Sequence, residues 1–313
     1  MKLLFLQLLI RIFTKIPFLG KKARENAYSL KAKIEPIQLK NIPLELHWMS
    51  FLFLTDPHIG GSINSIAQEA QKKIKSLISK AHTDRLIVLH GGDFICWEWG
   101  DTAFEETGSV IDTLFSELIH YPNFAVVGNH DEEDRDFPRV KSYLEEKWKM
   151  HFMIHPRDTR HLHIGGKEIL VHGIHTLLDY LEALNEADRN MLLDTYIHLL
   201  SKSEVDFHIV LLHNPDGLEF LLNRLIITKQ TFTKPILFLA GHTHGASINL
   251  PLIRQWALRT CKTKFNRYKW WYIPEGKYAE TGNWKLYVST GMGNSPGFDV
   301  RMNADPEVVL FTF

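Results

Sequence analysis

The chain has 313 residues, of which 45% are hydrophobic and 23% are charged, a composition typical of a globular protein with one large core or two smaller ones. Its 36 basic and 36 acidic residues give a formal net charge of +0, so no overall positive field favours a nucleic acid as partner. Only Cys96 and Cys261 are cysteines, which excludes a disulfide framework and a thiolate zinc site, whereas 17 histidines offer many imidazole ligands.

The first 24 residues are predicted to form a basic amphipathic helix that lies in a membrane interface. The uncharged run over residues 3–10 is far too short to cross a bilayer, which needs about 20 residues. Basic side chains recur near helical spacing on one face, and apolar side chains cover the rest. One alternative is a signal peptide, which Arg11 and Lys15 disfavour, and another is a helix packed on the domain. Pro17 and Gly20 are expected to end or kink the helix.

Residues 25–48 are predicted to form a connector with one strand before Pro43, and residues 49–313 are predicted to form the main domain. The domain begins with a near-continuous apolar run, which is the pattern of a strand buried on both faces. Eight runs in the domain are predicted to form strands, at residues 49–55, 86–90, 124–127, 168–171, 207–212, 235–240, 285–289 and 308–313.

Helices are predicted between several of these strands. Ser65 and Gln68 suit a capping box for the first helix, whose apolar side chains recur at helical spacing. Two more helices are predicted around residues 110–119 and over residues 181–200. The alternation of strand and helix predicts an α/β fold with a largely parallel central sheet.

Side chains that can bind metal ions follow five of the predicted strands directly. They are Asp56, His58, Asp93, Asn129, His130, His213, His242 and His244. Ligands of such sheets bind beyond the carboxyl ends of the strands, so we expect these side chains to lie together. Each alone is explained as a turn residue or a buried histidine, but such explanations do not account for all of them together. Carboxylate, imidazole and amide ligands favour Mn or Fe, with Zn as another choice, and their number suits two divalent ions.

Five short motifs at these strand ends form a recognisable series. They are Asp56-x-His58, Gly92-Asp93, Gly128-Asn129-His130-Asp131, His213 and Gly241-His242-x-His244. The series resembles that of the calcineurin-like metallophosphoesterases, and the resemblance runs from about residue 49 to the C terminus. Pro57 after the first aspartate and Gly91, where a hydroxyl residue is common, depart from the pattern without replacing a ligand.

The resemblance implies a four-layer αββα sandwich of two mixed β-sheets, with a dinuclear metal site at the carboxyl ends of the strands. The implied ligands are Asp56, His58 and His244 for one ion and Asn129, His213 and His242 for the other, with Asp93 bridging the two. Two such cations clamp a phosphate and activate a water for in-line attack on a phosphodiester or pyrophosphate. His130 would stabilise the transition state or protonate the leaving oxygen, and Asp131 would orient it.

Parts of the chain resemble a membrane-associated bacterial branch that includes lipid A pathway enzymes acting on UDP-diacylglucosamine. They are the N-terminal segment, residues 211–216, residues 240–245, residues 286–293 and residues 306–308. This resemblance implies a lipid phosphoester substrate and a peripheral protein at the cytoplasmic face of the inner membrane. Trp97, Trp99 and the basic aromatic stretch over residues 267–272 would then contact acyl chains and phosphates, or pack as ordinary loops.

Two other functions are compatible with the residues. A soluble cyclic-nucleotide phosphodiesterase would use the same ligands, and the neutral charge of the chain does not argue against it. A metal-free scaffold is disfavoured because every expected ligand is present. The native metal, the exact substrate and the oligomeric state are not determined by the sequence.

Overall fold

The computed structural model describes residues 17–96, 103–155, 158–174, 184–202, 204–244, 277–281, 283–294 and 300–313. The predictions for residues 1–16, for Trp97 and Trp99 and for the aromatic stretch over residues 267–272 lie outside these ranges. The two sheets and the helices below are therefore those of the described residues.

The first sheet has six strands among these residues. They are β1 (Lys31–Pro36), β2 (Ser50–Leu54), β3 (Leu86–His90), β4 (Asn123–Ala125), β5 (His151–Phe152) and β12 (Glu307–Thr312). Their spatial order is β1-β12-β2-β3-β4-β5, and neighbours are parallel except β12 and β2. β1 lies in the stretch predicted to be a connector and adds an edge strand beside β12.

The second sheet also has six strands. They are β6 (Thr159–Ile164), β7 (Lys167–Ile174), β8 (Phe207–Leu212), β9 (Ile236–Ala240), β10 (Lys277–Thr281) and β11 (Trp284–Val288). Their order is β10-β11-β9-β8-β7-β6, with antiparallel pairs only at the two edges. Both sheets are therefore mixed, as predicted.

Seven α-helices occur among the described residues, and five of them cover the outer faces of the two sheets. They are α1 (Pro17–Ala27), α2 (Ile63–Ile78), α3 (Ala103–Phe115), α4 (Asn129–Glu133), α5 (Phe137–Trp148), α6 (Glu186–Leu200) and α7 (Asp216–Thr228). Helices α2, α3 and α5 pack on the first sheet, and α6 and α7 pack on the second. A third core lies between the sheets, so the predicted four-layer αββα sandwich is confirmed.

The central strands are largely apolar because each contributes to two cores, and their polar residues, Ser50, His90 and His208, are buried. Along β2, Phe51 and Phe53 face the core between the sheets, whereas Leu52 and Leu54 face the helices. All residues of β2, β3, β8 and β9 are buried. The predicted ligands follow directly where these strands end.

The predicted start of the first helix of the domain is wrong, and so is the expectation that Gly20 ends a helix. Helix α2 begins at Ile63, because this side chain is fully buried and draws the first turn onto the core. The hydroxyl of Ser65 therefore lies within the first turn and donates to the carbonyl of Ser62 at 2.8 Å, so the capping box does not form. Gly20 lies inside α1, where it is buried in line with Ala23 and does not end the helix.

The described part of the N-terminal region packs on the domain through α1. Ala23 and Ala27 are buried, and the carbonyl of Ala23 accepts a hydrogen bond from the backbone of Arg301 at 2.8 Å. Among the described residues, no helix is both long and apolar enough to cross a bilayer.

Candidate metal centre

The predicted ligands lie beyond the carboxyl ends of five strands, of which three belong to the first sheet and two to the second. The loops carry Asp56 after β2, Asp93 after β3, Asn129 after β4, His213 after β8 and His242 after β9. The strands β2, β3 and β4 are neighbours in one sheet, and β8 and β9 are neighbours in the other. The order of the strands therefore brings together residues that are far apart in the sequence.

The first group of ligand atoms belongs to Asp56, His58 and His244, all of which are buried. Nε2 of His58 lies 2.9 Å from Nε2 of His244, which lies 3.6 Å from Oδ1 of Asp56. The Asp56 carboxylate is held in place because it accepts from the Thr55 hydroxyl at 2.6 Å and from the His242 backbone at 3.0 Å. These three side chains could hold a metal ion.

The second group belongs to Asp93, His213 and His242, with Asn129 beside them. Nε2 of His213 lies 3.0 Å from Oδ1 of Asn129 and 3.2 Å from Nδ1 of His242. Nδ1 of His213 lies 2.8 Å from the carbonyl of Gly91, so it carries a proton and donates it. This hydrogen bond directs Nε2 toward the group and leaves it available as a ligand.

Asp93 connects the two groups. Its Oδ2 lies 3.7 Å from Nε2 of His58 in the first group and 3.2 Å from Nε2 of His213 in the second. Its Oδ1 accepts the backbone N–H of His130 at 2.9 Å, which fixes the orientation of the carboxylate. One oxygen of Asp93 therefore faces an imidazole of each group.

The distances between these atoms test whether the residues suit metal ions. Two ligand atoms bound about 2.1 Å from one ion, at roughly 90–110° to each other, lie about 3.0–3.4 Å apart. The observed separations are 2.9 and 3.6 Å in the first group and 3.0 to 3.2 Å in the second. Acceptor atoms at these distances repel each other unless cations or protons lie between them. The residues present therefore fit divalent ions.

The family model for calcineurin-like phosphoesterases matches residues 49–246, which is more than half of the chain and includes all the predicted ligands. The chain belongs to the calcineurin-like phosphoesterase family. No curated protein matches it. The family typically binds divalent metals and hydrolyses phosphoesters, so this chain is a metallophosphoesterase with candidate ligand groups at the expected place.

Five of the candidate ligands of this phosphoesterase have left-handed backbone conformations. The φ angles are 49° at Asp56, 45° at His58, 54° at Asp93, 67° at His242 and 48° at His244. Such conformations cost about 1–3 kcal/mol each in residues other than glycine and are concentrated at functional sites. A Cβ at Gly128 would lie 2.0 Å from Oδ1 of Asp93, which explains why a glycine is needed beside this carboxylate.

Burial shifts the pKa values of the phosphoesterase site in opposite directions for acids and bases. It raises the pKa of Asp56 to about 7 and lowers the pKa of His58 to about 3 and that of His242 to about 4. Burial also opposes charge on Asp93 and His213. Their mutual attraction outweighs it, so the pKa of Asp93 falls well below its usual range and the pKa of His213 rises to about 10. Without ions, a proton on His213 therefore balances the charge of Asp93.

The structure places His130 beside both groups. Its ring centroid lies 5.0 Å from that of His58 in an edge-on arrangement, and its ring nitrogen can join His58 and Asp93 in a third candidate group. His130 is half-buried, unlike the fully buried His58. It therefore lies where it could contact a substrate or an ion.

Asp131 contacts the backbone of two ligand loops. Its Oδ1 accepts from the N–H groups of Phe94 and Ile95 at 2.8 and 3.2 Å, and its Oδ2 accepts from Gly128 at 2.9 Å. These bonds tie the loop after Asp93 to the loop before Asn129. None of these contacts involves the ring of His130, which Asp131 was predicted to orient.

Arg301 is a site residue that the sequence analysis missed. It is fully buried, donates to the carbonyl of His244 at 3.0 Å and lies 2.9 Å from Nδ1 of the same residue. A single arginine in a loop belongs to no periodic pattern and follows no predicted strand. The one possible signal is that the preceding residues 291–300 contain a single charged residue, Asp299.

Proposed function

We propose that this phosphoesterase hydrolyses phosphodiester or pyrophosphate bonds with two divalent ions, Mn or Fe being favoured and Zn being another choice. Asp56, His58 and His244 would hold one ion, Asn129, His213 and His242 would hold the other, and Asp93 would serve both. The observation that carries the proposal is the position of Oδ2 of Asp93, 3.7 Å from an imidazole of one group and 3.2 Å from an imidazole of the other.

The protein's own residues have distinct parts in this function. Bound divalent ions supply positive charge that polarises a phosphoryl oxygen and lowers the pKa of water. His130 stabilises charge in the transition state or donates a proton to the leaving oxygen, since it is half-buried beside both groups. Asp131 acts through the two ligand loops that its carboxylate joins.

The test of this function is metal analysis of the purified chain together with hydrolysis of a chromogenic phosphodiester. We expect close to two transition ions per chain, loss of hydrolysis after removal of the ions by a chelator, and recovery on addition of Mn²⁺. A purified chain that binds no transition ion, or that hydrolyses the diester equally well without one, would disprove the proposal.

We further propose that the substrate is a lipid-linked phosphodiester or pyrophosphate, with UDP-diacylglucosamine as the first candidate. Three features of the sequence support it: the amphipathic pattern of residues 1–24, the tryptophans at 97 and 99, and the basic aromatic stretch over residues 267–272. Dinuclear sites cleave many phosphoesters, so selectivity must come from such surroundings.

The substrate proposal is tested by comparing kcat/KM for the acylated compound and for its deacylated head group, in detergent, with the full chain. Each buried CH₂ contributes about 0.8 kcal/mol, so we expect a strong preference for the acylated compound. Trp97→Ala should reduce this preference without changing the metal content. Equal kcat/KM values for the two compounds, or faster cleavage of a cyclic nucleotide, would instead favour a soluble phosphodiesterase.

A further inference from the structure

Thr55 is a buried hydroxyl residue between the end of β2 and the candidate ligand Asp56. Its side chain lies in the interior, and the residue is only 1% exposed. Among the contacts of the described residues, its hydroxyl donates to one acceptor, Oδ2 of Asp56, at 2.6 Å. A bond of this length from a hydroxyl to a carboxylate is charge-assisted and stronger than a bond between neutral groups. The hydroxyl therefore acts on a single candidate ligand.

The two carboxylate oxygens of Asp56 have different surroundings. Oδ2 accepts from the Thr55 hydroxyl and also from the backbone N–H of His242, at 3.1 Å. Oδ1 shares the His242 donor, at 3.0 Å, and is the oxygen that faces Nε2 of His244 at 3.6 Å. Because two donors already occupy Oδ2, Oδ1 is the oxygen that has a lone pair left for an ion between Asp56 and His244.

Two glycines leave the room that the Thr55 hydroxyl occupies. A Cβ at Gly241 would lie 2.1 Å from Oγ1 of Thr55 and 2.2 Å from Oδ2 of Asp56. A Cβ at Gly91 would lie 2.4 Å from the same Oγ1. The backbones of both glycines therefore lie directly against the hydroxyl, so the side chain of Thr55 has little room to adopt another rotamer.

The backbone on both sides of this hydrogen bond is also held. The carbonyl of Thr55 accepts from the N–H of Met292 at 2.9 Å, and the N–H of Asp56 donates to the carbonyl of Gly92 at 2.9 Å. Asp56 has a left-handed backbone conformation, with φ of 49°. The donor and the carboxylate are therefore fixed relative to each other before any ion binds.

A hydroxyl suits this position because it is neutral. A lysine or arginine beside Asp56 would add positive charge next to divalent ions and would oppose their binding. The Thr55 hydroxyl gives a directed bond without that charge. Its donation to Oδ2 favours the ionised carboxylate, which is the form that binds a metal ion, and it leaves Oδ1 available as the ligand atom.

We propose that Thr55 is a positioning residue for the ion of the first group, to which Asp56 belongs. Its hydroxyl fixes the carboxylate through Oδ2, so that Asp56 binds this ion through Oδ1 alone. The inference rests on the proposed two-ion function. It concerns one ion more than the other, because among the described contacts the hydroxyl donates to no ligand of the second group.

The test compares Thr55→Ser with Thr55→Ala, because both lack the methyl group of threonine and only serine keeps a hydroxyl. Loss of a group that orients a ligand typically weakens metal binding by about 10–100-fold. We expect this loss for the ion of the first group in Thr55→Ala, and an affinity close to that of wild type in Thr55→Ser. Mn²⁺ titration of the metal-free chain measures the affinities of both ions.

Electron paramagnetic resonance gives a second readout. At the Mn²⁺ concentration that just saturates wild type, wild type and Thr55→Ser should show a coupled Mn pair, whereas Thr55→Ala should show mainly isolated Mn. Ser50→Ala is the matched control, because the Ser50 hydroxyl is also buried, lies at the opposite end of β2 and accepts from the N–H of His82 at 3.3 Å. This control should keep both affinities.

Three results would overturn the inference. One is an affinity for both ions in Thr55→Ala equal to that of wild type. Another is an equal loss in Thr55→Ser and Thr55→Ala, which would assign the effect to the methyl group. The third is an equal loss of both ions in Thr55→Ala, since the hydroxyl contacts a ligand of one group only.

Folding of the variants is checked by circular dichroism and thermal unfolding. If Thr55→Ala does not fold, Thr55→Val takes its place, because valine keeps the branched shape of threonine and lacks the hydroxyl. Unchanged affinity in that variant would overturn the inference. A wild-type chain that binds no ion would disprove the proposed function itself, whereas two ions bound equally in wild type and in the variants would disprove only the role of Thr55.

Discussion

Asp93 differs from the other candidate ligands because one of its oxygens faces both groups. Asp93→Asn replaces one carboxylate oxygen by an amide NH₂ and removes the negative charge between the groups. We expect both ions to be weakened by more than the roughly 10–100-fold that is typical of residues acting behind the ligands. Metal analysis after dialysis measures the loss, with Asp112→Asn as a control that removes a carboxylate paired with Lys147. A variant that kept two ions and full activity would contradict the bridging role.

His130 has a different expected phenotype. His130→Ala should lower kcat by about 10²–10⁴ while both ions remain bound, because a proton donor or a charge-stabilising group is lost and no ligand is lost. Metal content and kcat are measured on the same preparation. Loss of one ion in parallel with activity would make His130 a ligand, as its proximity to His58 and Asp93 also allows.

At the scale of single residues, the sequence reveals the ligands better than it reveals the residues that support them. Asp56 and His213 could be predicted because each follows a largely apolar run of strand length. The role of Asp131 could not be predicted, because two of its partners are backbone N–H groups 37 and 36 residues away. The contacts between Arg301 and His244 likewise arise only in the folded chain.

At the scale of elements, the strands that could be predicted are those that contribute buried side chains to two cores. The predicted strand over residues 207–212 agrees with β8, because all six of its residues are buried. β5 has only two residues, too few to show any periodicity. No helix was predicted at α7, although Leu218, Leu221, Leu222 and Leu225 recur at helical spacing and are buried. Whether such elements form depends on how they pack between the layers of the fold.

Neighbouring strands of the second sheet bury two histidines that take no part in the metal centre. Nε2 of His172 on β7 lies 3.0 Å from Nδ1 of His208 on β8, and the rings are stacked with centroids 5.3 Å apart. The outer nitrogens, Nδ1 of His172 and Nε2 of His208, have no hydrogen-bond partner among the described residues. Protonation in this position is unfavourable. Burial lowers the pKa of His208 from 6.5 to about 3 and holds that of His172 well below 6.5.

This pair makes the free energy of unfolding depend on pH. The unfolded chain binds more protons than the folded chain once the pH falls below about 6.5, since the folded pKa values are depressed. The stabilisation is therefore complete above about pH 6.5 and is lost as the pH falls toward about 3, by roughly 1 kcal/mol per pH unit for each histidine.

The measurement is urea unfolding of the metal-free chain between pH 7.5 and pH 5. We expect the double variant His172→Leu and His208→Leu to show a smaller decrease in the free energy of unfolding than wild type over this range. His120→Gln, at an exposed position, is the control and should leave the pH dependence unchanged. Equal slopes for wild type and the double variant would refute the assignment.

At the scale of the whole molecule, the N-terminal region has two parts with different expected roles. The described part, α1, belongs to the domain, because Gly20, Ala23 and Ala27 are buried and Ala23 is bonded to the backbone of Arg301. Residues 1–16 contain most of the apolar side chains of the predicted amphipathic pattern and three of its basic side chains. We propose that these residues attach the protein peripherally to the cytoplasmic face of the inner membrane.

A deletion that ends before α1 tests this attachment without disturbing the domain. The chain without residues 1–16 should keep its metal content and its thermal unfolding temperature, whereas a deletion through residue 24 removes buried contacts of α1 and should lower that temperature. Full-length protein should sediment with anionic vesicles at low salt and less at high salt, because each Lys or Arg near such a surface contributes about 1 kcal/mol. The shorter deletion should stay in solution. Full-length protein that does not sediment at low salt would show that residues 1–16 do not bind the membrane surface.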